Sequence, residues 1–327
     1  MPRPLAPAPA SFVDPKTGGP AFGAYAGRLP PVELGQLGIV ERIARRKRWL
    51  YLAIATDEIW IALAVVRTGY AATVFGFAYD LVAKRMLVDR TVLGPSALVA
   101  DDAHARGTLA RFSLGKTALA VTRAKGSLEV HVRMDGLSVD ATIDEGTGPP
   151  GVAAIAALGG GLVNATEKRA LLAVRGTARA GTRDFTLDRG IAGYDYTHGL
   201  LPRHTTWQWA YALGRTTAGE PFAFNVVHGF VGGAECAGFL GGQVVPLAEP
   251  RFVFDAARPL EPWRLEGEGV DLSFTPGAVH TQRTQLVVIR SRFLQPVGTF
   301  AGRLRIGDRE VEVAGLPGVV EDQDVLW

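Results

Sequence analysis

Residues 49–66 have the sequence WLYLAIATDEIWIALAVV, and this stretch decides the fold. Two runs of apolar, β-branched and aromatic residues, Trp49–Ala55 and Glu58–Val66, favour β-strands. The pair Thr56-Asp57 between them is typical of a tight turn. We therefore predict an antiparallel β-hairpin at this point of the chain.

Short strand-like runs, separated by turn residues, continue along the rest of the chain. They are Tyr70–Tyr79, Lys84–Val92, Thr108–Leu114, Thr117–Arg123, Ser127–Val132, Met134–Ile143, Arg169–Thr177, Phe185–Leu187, Thr206–Leu213, Pro221–Val227, Gln243–Leu247, Arg251–Phe254, Trp263–Glu266, Val270–Phe274, Gln282–Ile289, Val297–Ile306 and Glu310–Val313. The 40 glycines and 20 prolines of the chain supply the turns. This pattern predicts an all-β protein built from two antiparallel barrel-like halves.

The two halves are separated by a Gly/Pro-rich stretch at residues 146–161, which we interpret as a linker or a loop with one helical turn. We expect a Pro/Gly/Ala-rich tail at residues 1–28, a first barrel at 29–165 and a second barrel at 166–327. Trp327 has a large apolar side chain, and burying it would stabilise the second barrel. We therefore expect Trp327 to be buried there.

The segment Pro31–Arg48 is the one stretch that predicts a helix. Glu33 lies early in it and the basic run Arg45-Arg46-Lys47-Arg48 lies late, an order that complements the helix dipole. The basic run is either the solvated end of the segment or a binding site for phosphate or an acidic lipid surface.

Composition narrows the possible partners. Hydrophobic residues make up 47 % of the chain and charged residues 20 %, which is enough apolar material for a buried core. The net charge of +3 is small, and the 35 basic residues are spread along the chain among 32 acidic ones. This distribution argues against nucleic-acid binding. The single cysteine, Cys236, excludes an intrachain disulfide framework. The six histidines lack metal-ligand spacing, so we expect no metal.

No apolar stretch approaches the roughly 20 residues needed to cross a bilayer, so no transmembrane segment is expected. Met1–Pro20 lacks the apolar core of a secretory signal, and we expect a cytoplasmic location. Weak contact with a membrane surface and the oligomeric state are left open.

The densest polar-aromatic region is Gly190–Tyr211. On extended chain, alternate side chains point to opposite faces. One face of the second half of this region therefore carries Trp207, Trp209 and Tyr211. In the first half, Tyr194 and Tyr196 share a side and Asp195 lies opposite.

We expect the turn at residues 199–202 to fold the Asp195 segment back on the tryptophan strand. Asp195 would then lie in or beside a cavity lined by Trp207, Trp209 or both, with His198 and Arg203 close by. Asp195 is then a candidate proton donor or acceptor, and His198 is a second candidate. Burial would raise the pKa of Asp195, and a neighbouring cation such as Arg203 would oppose this. The alternative is that the Asp and Tyr side chains only fasten a turn.

A series of motifs in the second half of the chain carries a family resemblance. They are Tyr194-Asp195-Tyr196-Thr197-His198-Gly199, Arg203, Thr206-Trp207-Gln208-Trp209-Ala210, Asn225, Gly229, Glu235, Phe252, Trp263, Asp271-Leu272, Phe274, Pro276, Gln295, Gly298, Phe300-Ala301-Gly302, Gly318, Glu321-Asp322 and Trp327. With a looser match at Lys47-Arg48-Trp49, this series resembles the domain-of-unknown-function 2804 family over most of the chain beyond residue 28.

The resemblance implies a fold of two lipocalin-like barrels. It also implies a distant similarity to carotenoid hydratases of the hydroxyneurosporene synthase type, whose motif is of the form Tyr-His-Asp-His-Asn-Trp-Gly. If Gly199 is matched to the last glycine, Asp195 falls on the acidic position, while the other five positions differ.

Three functions remain open from the sequence. The first is an enzyme that hydrates, cyclises or isomerises a hydrophobic small molecule by acid catalysis, with no cofactor. Asp195 and His198 would be catalytic, and Tyr194, Tyr196, Arg203, Trp207, Trp209 and Tyr211 would bind the ligand. The second is a carrier that holds a lipid or isoprenoid unchanged. The third is a structural protein whose barrels are filled by their own side chains.

Overall fold

The chain is almost entirely β in the computed structural model, which describes residues 4–100, 108–285 and 290–327. Strands account for 66 % of the described residues and helices for 4 %, so the all-β prediction is confirmed. The strands are β1 (Ala6–Pro7), β2 (Gly23–Ala26), β3 (Arg46–Ala55), β4 (Ile59–Arg67), β5 (Ala71–Asp80), β6 (Arg85–Pro95), β7 (Val99–Ala100), β8 (Thr108–Leu114), β9 (Thr117–Ala124), β10 (Ser127–Met134), β11 (Leu137–Asp144), β12 (Val152–Ala157), β13 (Val163–Ala180), β14 (Arg183–Thr186), β15 (Gly190–Leu200), β16 (His204–Arg215), β17 (Pro221–His228), β18 (Ala237–Leu240), β19 (Gln243–Pro246), β20 (Arg251–Val253), β21 (Trp263–Gly267), β22 (Val270–Gln285), β23 (Arg290–Ile306) and β24 (Arg309–Leu326). Residues 286–289 of the predicted strand at 282–289 lie outside the described residues.

The predicted hairpin at residues 49–66 is formed by β3 and β4. Leu52 lies opposite Leu63, and Ala55 lies opposite Trp60. The turn is closed by a hydrogen bond from the Thr56 backbone N–H to the Ile59 carbonyl, 3.0 Å long. Register in a hairpin is fixed by the turn and the apolar pattern together, and here both agree.

The described strands form two sheets, which are antiparallel except for the short parallel pair β1–β2. The first forms a nearly closed barrel with the strand order β6-β5-β4-β3-β15-β13-β11-β10-β9-β8-β7, and β1, β2, β12 and β14 extend it. The second forms a half-barrel with the order β19-β18-β17-β16-β24-β23-β22-β21-β20. The lipocalin-like β architecture that the resemblance implied is therefore present.

The two faces of the β3–β4 hairpin belong to two different cores. Leu50, Leu52 and Ile54 point into the first barrel and pack in its interior. Tyr51 and Ala53, between them, point outward and pack against the second sheet. Because both faces are covered, this hairpin is apolar throughout and does not alternate with polar residues.

The chain leaves the first sheet and enters the second at residues 201–203. β15 ends at Leu200 and pairs with β3 and β13, whereas β16 begins at His204 and pairs with β17 and β24. This change lies downstream of the boundary at residue 166 that we expected. The division into domains at 29–165 and 166–327 stays a prediction.

Two local predictions are wrong. In the segment Pro31–Arg48, a single π-helical turn forms at Glu41–Arg45, and β3 already begins at Arg46. Arg46, Lys47 and Arg48 of the basic run thus belong to a strand, where they pair with β15. In the stretch at 146–161, Val152–Ala157 forms β12, because its small apolar side chains fit between β2 and β13. No helix in the described part of the chain is long and apolar enough to cross a membrane.

Candidate functional site

A cavity of about 400 Å³ lies between the outer face of the first barrel and the second sheet. The residues that line it are Trp49, Tyr51, Ala64, Val66, Thr68, Tyr70, Ala71, Thr73, Phe75, Leu93, Gly94, Lys168, Asp195, Trp207, Trp209, Val227, Phe230, Glu235, Gln282, Thr284, Ser291, Phe293, Glu321, Gln323, Val325 and Trp327. Most of this lining is apolar or aromatic, and a few charged groups converge in it. That combination is typical of a small-molecule site.

Four aromatic rings form one wall of the cavity, with Trp207 at its centre. The Trp207 ring stacks on Trp49 with centroids 5.9 Å apart, and lies 6.4 Å from Trp327 and 5.6 Å from Phe230. Trp49 belongs to the first barrel and the other three to the second half of the chain, so the wall bridges the two sheets. Such ring faces can bind an apolar or a cationic group.

The predicted burial of Trp327 is confirmed. Its side chain is buried, and its indole Nε1 donates a hydrogen bond to Thr205 Oγ1 at 3.1 Å. Arg203 donates to the Trp327 carbonyl oxygen at 2.6 Å. Arg203 therefore acts here by fixing a wall residue of the cavity.

Asp195 lines the cavity together with Trp207 and Trp209, as we expected. Its Oδ2 forms an ion pair with Lys168 Nζ at 2.6 Å, and its Oδ1 accepts from Thr197 Oγ1 at 3.3 Å. The expected route to this position is wrong, because β15 and β16 do not form a hairpin. They belong to different sheets that face each other across the cavity.

Lys168 joins two carboxyl groups. Its Nζ contacts Glu235 Oε2 at 3.0 Å as well as Asp195. Burial works to lower the pKa of Lys168, but the two carboxylates outweigh it and the pKa is raised, so the ammonium form is favoured. A buried charge of this kind is stable only because it is paired and hydrogen-bonded.

Glu235 is held by the first barrel although it belongs to the second half of the chain. Asn164 Nδ2 donates to Glu235 Oε1 at 2.8 Å. Burial raises the pKa of Glu235, and Lys168 opposes this only in part. The backbone carbonyl of Glu235 accepts from Asn225, whose Oδ1 in turn accepts from Trp209 Nε1 at 2.8 Å. This chain of hydrogen bonds fixes Trp209 beside the charged groups.

Glu321 is the third carboxyl group in the cavity wall. Trp207 Nε1 donates to its Oε1 at 2.6 Å, and Gln295 Nε2 donates to its Oε2 at 2.7 Å. Burial nevertheless raises the pKa of Glu321 to about 7, because these two hydrogen bonds only partly offset the loss of water, and Asp195 adds repulsion. At neutral pH a substantial fraction of this carboxyl group is protonated.

Tyr51 contributes a phenol hydroxyl to the cavity lining, near Glu321 and Asp195. Burial raises the pKa of its phenol well above the ordinary value, and the nearby Glu321 and Asp195 carboxylates raise it further. Its ring meets Trp209 edge to face with centroids 5.1 Å apart. The Tyr51 hydroxyl is therefore neutral at physiological pH and available as a hydrogen-bond donor.

Three predicted tyrosines lie outside the cavity lining. Tyr194 and Tyr196 point into the interior of the first barrel, on the opposite face of β15 from Asp195. The Tyr194 hydroxyl there donates to Glu167 Oε1 at 2.5 Å. Tyr211 lies deeper between the sheets, where its hydroxyl donates a hydrogen bond to the Arg169 carbonyl at 2.6 Å. The same hydroxyl lies so close to Gly193 that no larger residue would fit there.

His198 also lies on the barrel side of β15. Arg46 Nε donates to His198 Nε2 at 3.1 Å, and Arg48 Nη2 lies 3.3 Å from His198 Nδ1. Since arginine can only donate, Nε2 is an acceptor. The two arginines thus hold the imidazole on the face away from Asp195, and a catalytic role for His198 stays a prediction.

Sequence reasoning from the Gly190–Tyr211 region missed the partners of Asp195. Lys168 comes from β13, Glu235 from the short 3₁₀ turn Gly232–Glu235, and Glu321 from β24. A signal for the two glutamates was present, since both are among the positions that carry the family resemblance. Lys168 lies in the charged run Glu167-Lys168-Arg169, and nothing in the sequence singles it out from its two charged neighbours. In the described residues, no group of three or more His, Cys, Asp and Glu side chains is arranged to hold a metal ion.

Comparison with protein families gives one match, to the model described as Domain of unknown function (DUF2804), over residues 13–327. The match covers nearly the whole chain, and the chain belongs to this family. No curated protein matches the sequence.

Several solved structures share the fold. CghA with Sch210972 is 12 % identical, with 98 % of each chain covered and a TM-score of 0.56. CghA alone is 9 % identical, with 99 % of this chain and 97 % of that chain covered and a TM-score of 0.54. Kievitone hydratase from Nectria haematococca is 13 % identical, with 92 % and 97 % covered and a TM-score of 0.49. At these identities the likeness is one of fold.

Proposed function

We propose that this member of the DUF2804 family binds a hydrophobic small molecule in the tryptophan-walled cavity and transfers protons to and from it without a cofactor. One observation carries the proposal: the carboxyl group of Glu321, with a pKa raised to about 7 by burial, lies in the wall of a largely apolar cavity that Asp195 also lines. A general acid is most effective when its pKa lies near the working pH.

Glu321 is the proton donor in this scheme. Its proton is transferred to an alkene or enol carbon of the substrate, where a C–H bond forms and positive charge develops. The faces of Trp207 and Trp209, which line the same cavity, stabilise that charge. Glu321 is left as a carboxylate that accepts hydrogen bonds from Trp207 and Gln295, and it regains its proton from solvent.

Asp195 is the proton acceptor. Its pairing with Lys168 at 2.6 Å provides a carboxylate in the same cavity. For isomerisation or cyclisation, Asp195 removes a proton from the substrate cation as the new double bond forms. For hydration, a water molecule adds to the cation and Asp195 takes the proton that the water loses. In each case Asp195 then releases this proton to solvent, as Glu321 regains one. Two carboxyl groups kept in different environments are a recurring arrangement for acid and base roles.

A structure of similar fold and the size of the cavity both support a small-molecule ligand. CghA, which is similar in fold over 98 % of each chain, was solved with Sch210972. A cavity of about 400 Å³ falls within the range of small-molecule sites. The aromatic wall provides apolar contact area, and the charged groups are confined to one part of the lining.

A carrier that holds a lipid or isoprenoid without changing it is the second candidate. One observation favours it: each of the three carboxyl groups already has a hydrogen-bonded partner within the protein, as in a structural network. Such a network would close the polar end of the cavity and leave the aromatic wall to bind the ligand.

The experiment begins with native mass spectrometry of the protein purified from its own host, which identifies the bound molecule. That molecule is then incubated in D2O with the wild type, with Glu321→Gln and with Asp195→Asn. Glu268→Gln, which changes an exposed turn residue in the same way, is the matched control. Deuterium in the recovered molecule, measured by mass spectrometry, reports proton transfer to carbon even when the product is unknown.

We expect deuterium incorporation or a mass change of one water with the wild type and with Glu268→Gln, and neither with Glu321→Gln. A bound molecule that all four proteins return unchanged would refute catalysis and establish the carrier. Protein that carries no apolar molecule and binds none from a lipid extract of the host would refute both.

A further inference from the structure

Two buried polar atoms on neighbouring strands of the second sheet have no hydrogen-bond partner among the described residues. They are Oε1 of Gln295 on β23 and Nε2 of His280 on β22. Both side chains are buried. The two residues lie directly opposite each other in the antiparallel pair, so their side chains share one face of the sheet, with Cβ atoms about 5 Å apart. Each is therefore within reach of the other, and a buried polar atom is costly to leave unpaired.

Gln295 connects this pair to Glu321. Its Nε2 donates to Glu321 Oε2 at 2.7 Å, and Trp207 Nε1 donates to Oε1 at 2.6 Å. Both neighbours are donors, an arrangement that suits the ionised form of Glu321. A protonated Glu321 has to donate its O–H, and an indole cannot accept it. Half a turn of the Gln295 amide supplies an acceptor, because Oε1 then faces Glu321.

His280 connects the pair to the surface through the first barrel. Its Nδ1 lies 2.6 Å from Oδ1 of Asp89 on β6, whose side chain is 34 % exposed. Because a carboxylate only accepts, Nδ1 carries a proton, and Nε2 is then a lone pair in the neutral ring and a donor in the protonated ring. The rings of Phe75, Phe77 and Phe293 lie 4.6, 5.7 and 5.7 Å from the imidazole and shield it from water.

These requirements are met by two arrangements of the same three side chains. In the first, Glu321 is ionised and His280 is protonated; His280 Nε2 donates to Gln295 Oε1, and Gln295 Nε2 donates to Glu321. In the second, Glu321 holds the proton and His280 is neutral; the Gln295 amide is turned over, so that it donates to His280 Nε2 and accepts from Glu321. Any other combination of charges places a donor against a donor or an acceptor against an acceptor.

We propose that His280, held by Asp89 and acting through Gln295, is a positioning residue that controls the protonation of Glu321. When Glu321 gives its proton to a substrate, His280 takes one from solvent beside Asp89, the amide turns, and the new carboxylate is stabilised. When Glu321 regains a proton from solvent, His280 releases its own. The catalytic meaning of this inference rests on the proposed function, in which Glu321 is the acid.

Other groups act on Glu321 directly and do not need Gln295. Asp195 raises the pKa of Glu321 by repulsion, and Lys168 lowers it. The Tyr51 phenol lies on the same side of the cavity. An effect of His280 that disappears when Gln295 is replaced can therefore be told apart from these influences.

The surroundings of His280 contain few other titratable groups. Asp89 is the charged side chain that contacts its ring within the described part of the chain. Tyr79 lies on the same face of β5 as the two phenylalanines, but its hydroxyl packs over Gly277, farther along β22. The charge of His280 is consequently set by Asp89 on one side and by Gln295 on the other.

The test follows the protonation of Glu321 and needs no substrate. The infrared absorption of its protonated carboxyl group is isolated as the difference between each protein and the same protein carrying Glu321→Gln, across a pH series. The full chain is compared with His280→Phe, with Gln295→Leu and with the double variant. Asp89→Asn perturbs His280 from a partly exposed position.

His131→Phe is the matched control. His131 is an exposed histidine on β10 whose Nδ1 lies 3.0 Å from Asp140 Oδ1, so it repeats the His–Asp contact away from the cavity. We expect this variant to leave the Glu321 midpoint unchanged.

We expect His280→Phe to raise the midpoint of Glu321 protonation by about 1 pH unit, because the carboxylate loses the donor that acts through Gln295. Asp89→Asn should raise it in the same direction. In the Gln295→Leu background, neither change should shift the midpoint further. Unchanged midpoints in both variants, or equal shifts with and without Gln295, would overturn the proposal. If His280→Phe does not fold, Asp89→Asn with and without Gln295→Leu decides the question.

Turnover separates this inference from the proposed function. In the D2O assay, the upper pH limit of deuterium incorporation should move up by the same amount in His280→Phe. A wild type that transfers no deuterium to its bound molecule would refute the proposed function, while the infrared midpoints would still decide whether His280 controls Glu321.

Discussion

Replacing Glu321 by Gln tests the central feature of the candidate site through stability, without knowledge of the substrate. Gln has nearly the shape of a protonated Glu and cannot ionise. Burial raises the pKa of Glu321 from 4.5 to about 7 in the folded protein. As pH rises above 4.5, the unfolded chain therefore ionises at this residue while the folded protein keeps its proton.

The sign and size of the effect follow from that difference. The contribution of Glu321 to stability is fully present below pH 4.5 and is lost as pH rises through 7. Between pH 5 and pH 8, the free energy of unfolding of the wild type should fall by about 2 to 3 kcal/mol more than that of Glu321→Gln. The variant should consequently equal or exceed the wild type in stability at pH 8.

Urea unfolding followed by tryptophan fluorescence at pH 5, 6, 7 and 8 measures this difference. Glu268→Gln, an exposed control, should keep the pH slope of the wild type. In the turnover assay, the wild-type rate should fall about tenfold per pH unit above 7, as protonated Glu321 is lost. Parallel stability curves for the wild type and Glu321→Gln would refute the raised pKa, and with it the role of Glu321 as acid.

Three further perturbations probe the surroundings of the cavity by urea or thermal unfolding. Lys168→Met leaves two buried carboxyl groups without their ammonium partner and should cost about 3 to 5 kcal/mol at pH 8, less at pH 5; a loss under 1 kcal/mol would contradict the buried ion pairs. Gly193→Ala places a Cβ 1.8 Å from a tyrosine hydroxyl and should cost about 2 kcal/mol or more, whereas Gly19→Ala, with nothing closer than 3.8 Å, should be neutral. Trp327→Ala should lower the melting temperature by about 5 °C or more, and Leu260→Ala, an exposed control, should leave it unchanged.

Local patterns predicted the fold well where a strand and its turn lie close in sequence. The β3–β4 hairpin is one case, because its turn residues and apolar runs specify one register. The prediction failed at Pro31–Arg48, where charge order suggested a helix. A dipole preference is worth less than about 1 kcal/mol, and the pairing of Arg46 and Arg48 with neighbouring strands outweighs it. It failed again at Val152–Ala157, because an alanine-rich run has no marked strand preference until β2 and β13 flank it.

The only part of the candidate site that the sequence could predict is the part set by the alternation of side chains along a strand. Alternation separates Asp195 from Tyr194 and Tyr196, and places Trp207 and Trp209 on one face; both features are present. Alternation does not say how far along a strand the cavity extends, which is why Tyr211 was expected in it and lies deeper. The contacts of Asp195 with residues far away in sequence depend on how the two sheets pack, and no local pattern contains that information.

That packing determines the chemistry of the site, because the charged groups come from both sheets. The first barrel contributes Asp195 and Lys168, and the second half of the chain contributes Glu235 and Glu321. Three carboxyl groups around one ammonium would carry two excess negative charges if all were ionised, and a buried site cannot hold them without water. Burial accordingly raises the pKa of both glutamates, and that of Glu321, at about 7, leaves this carboxyl group partly protonated near neutral pH. Separation of the sheets would admit water, lower these pKa values and remove the acid, so a functional proton donor exists only while the two sheets are packed together.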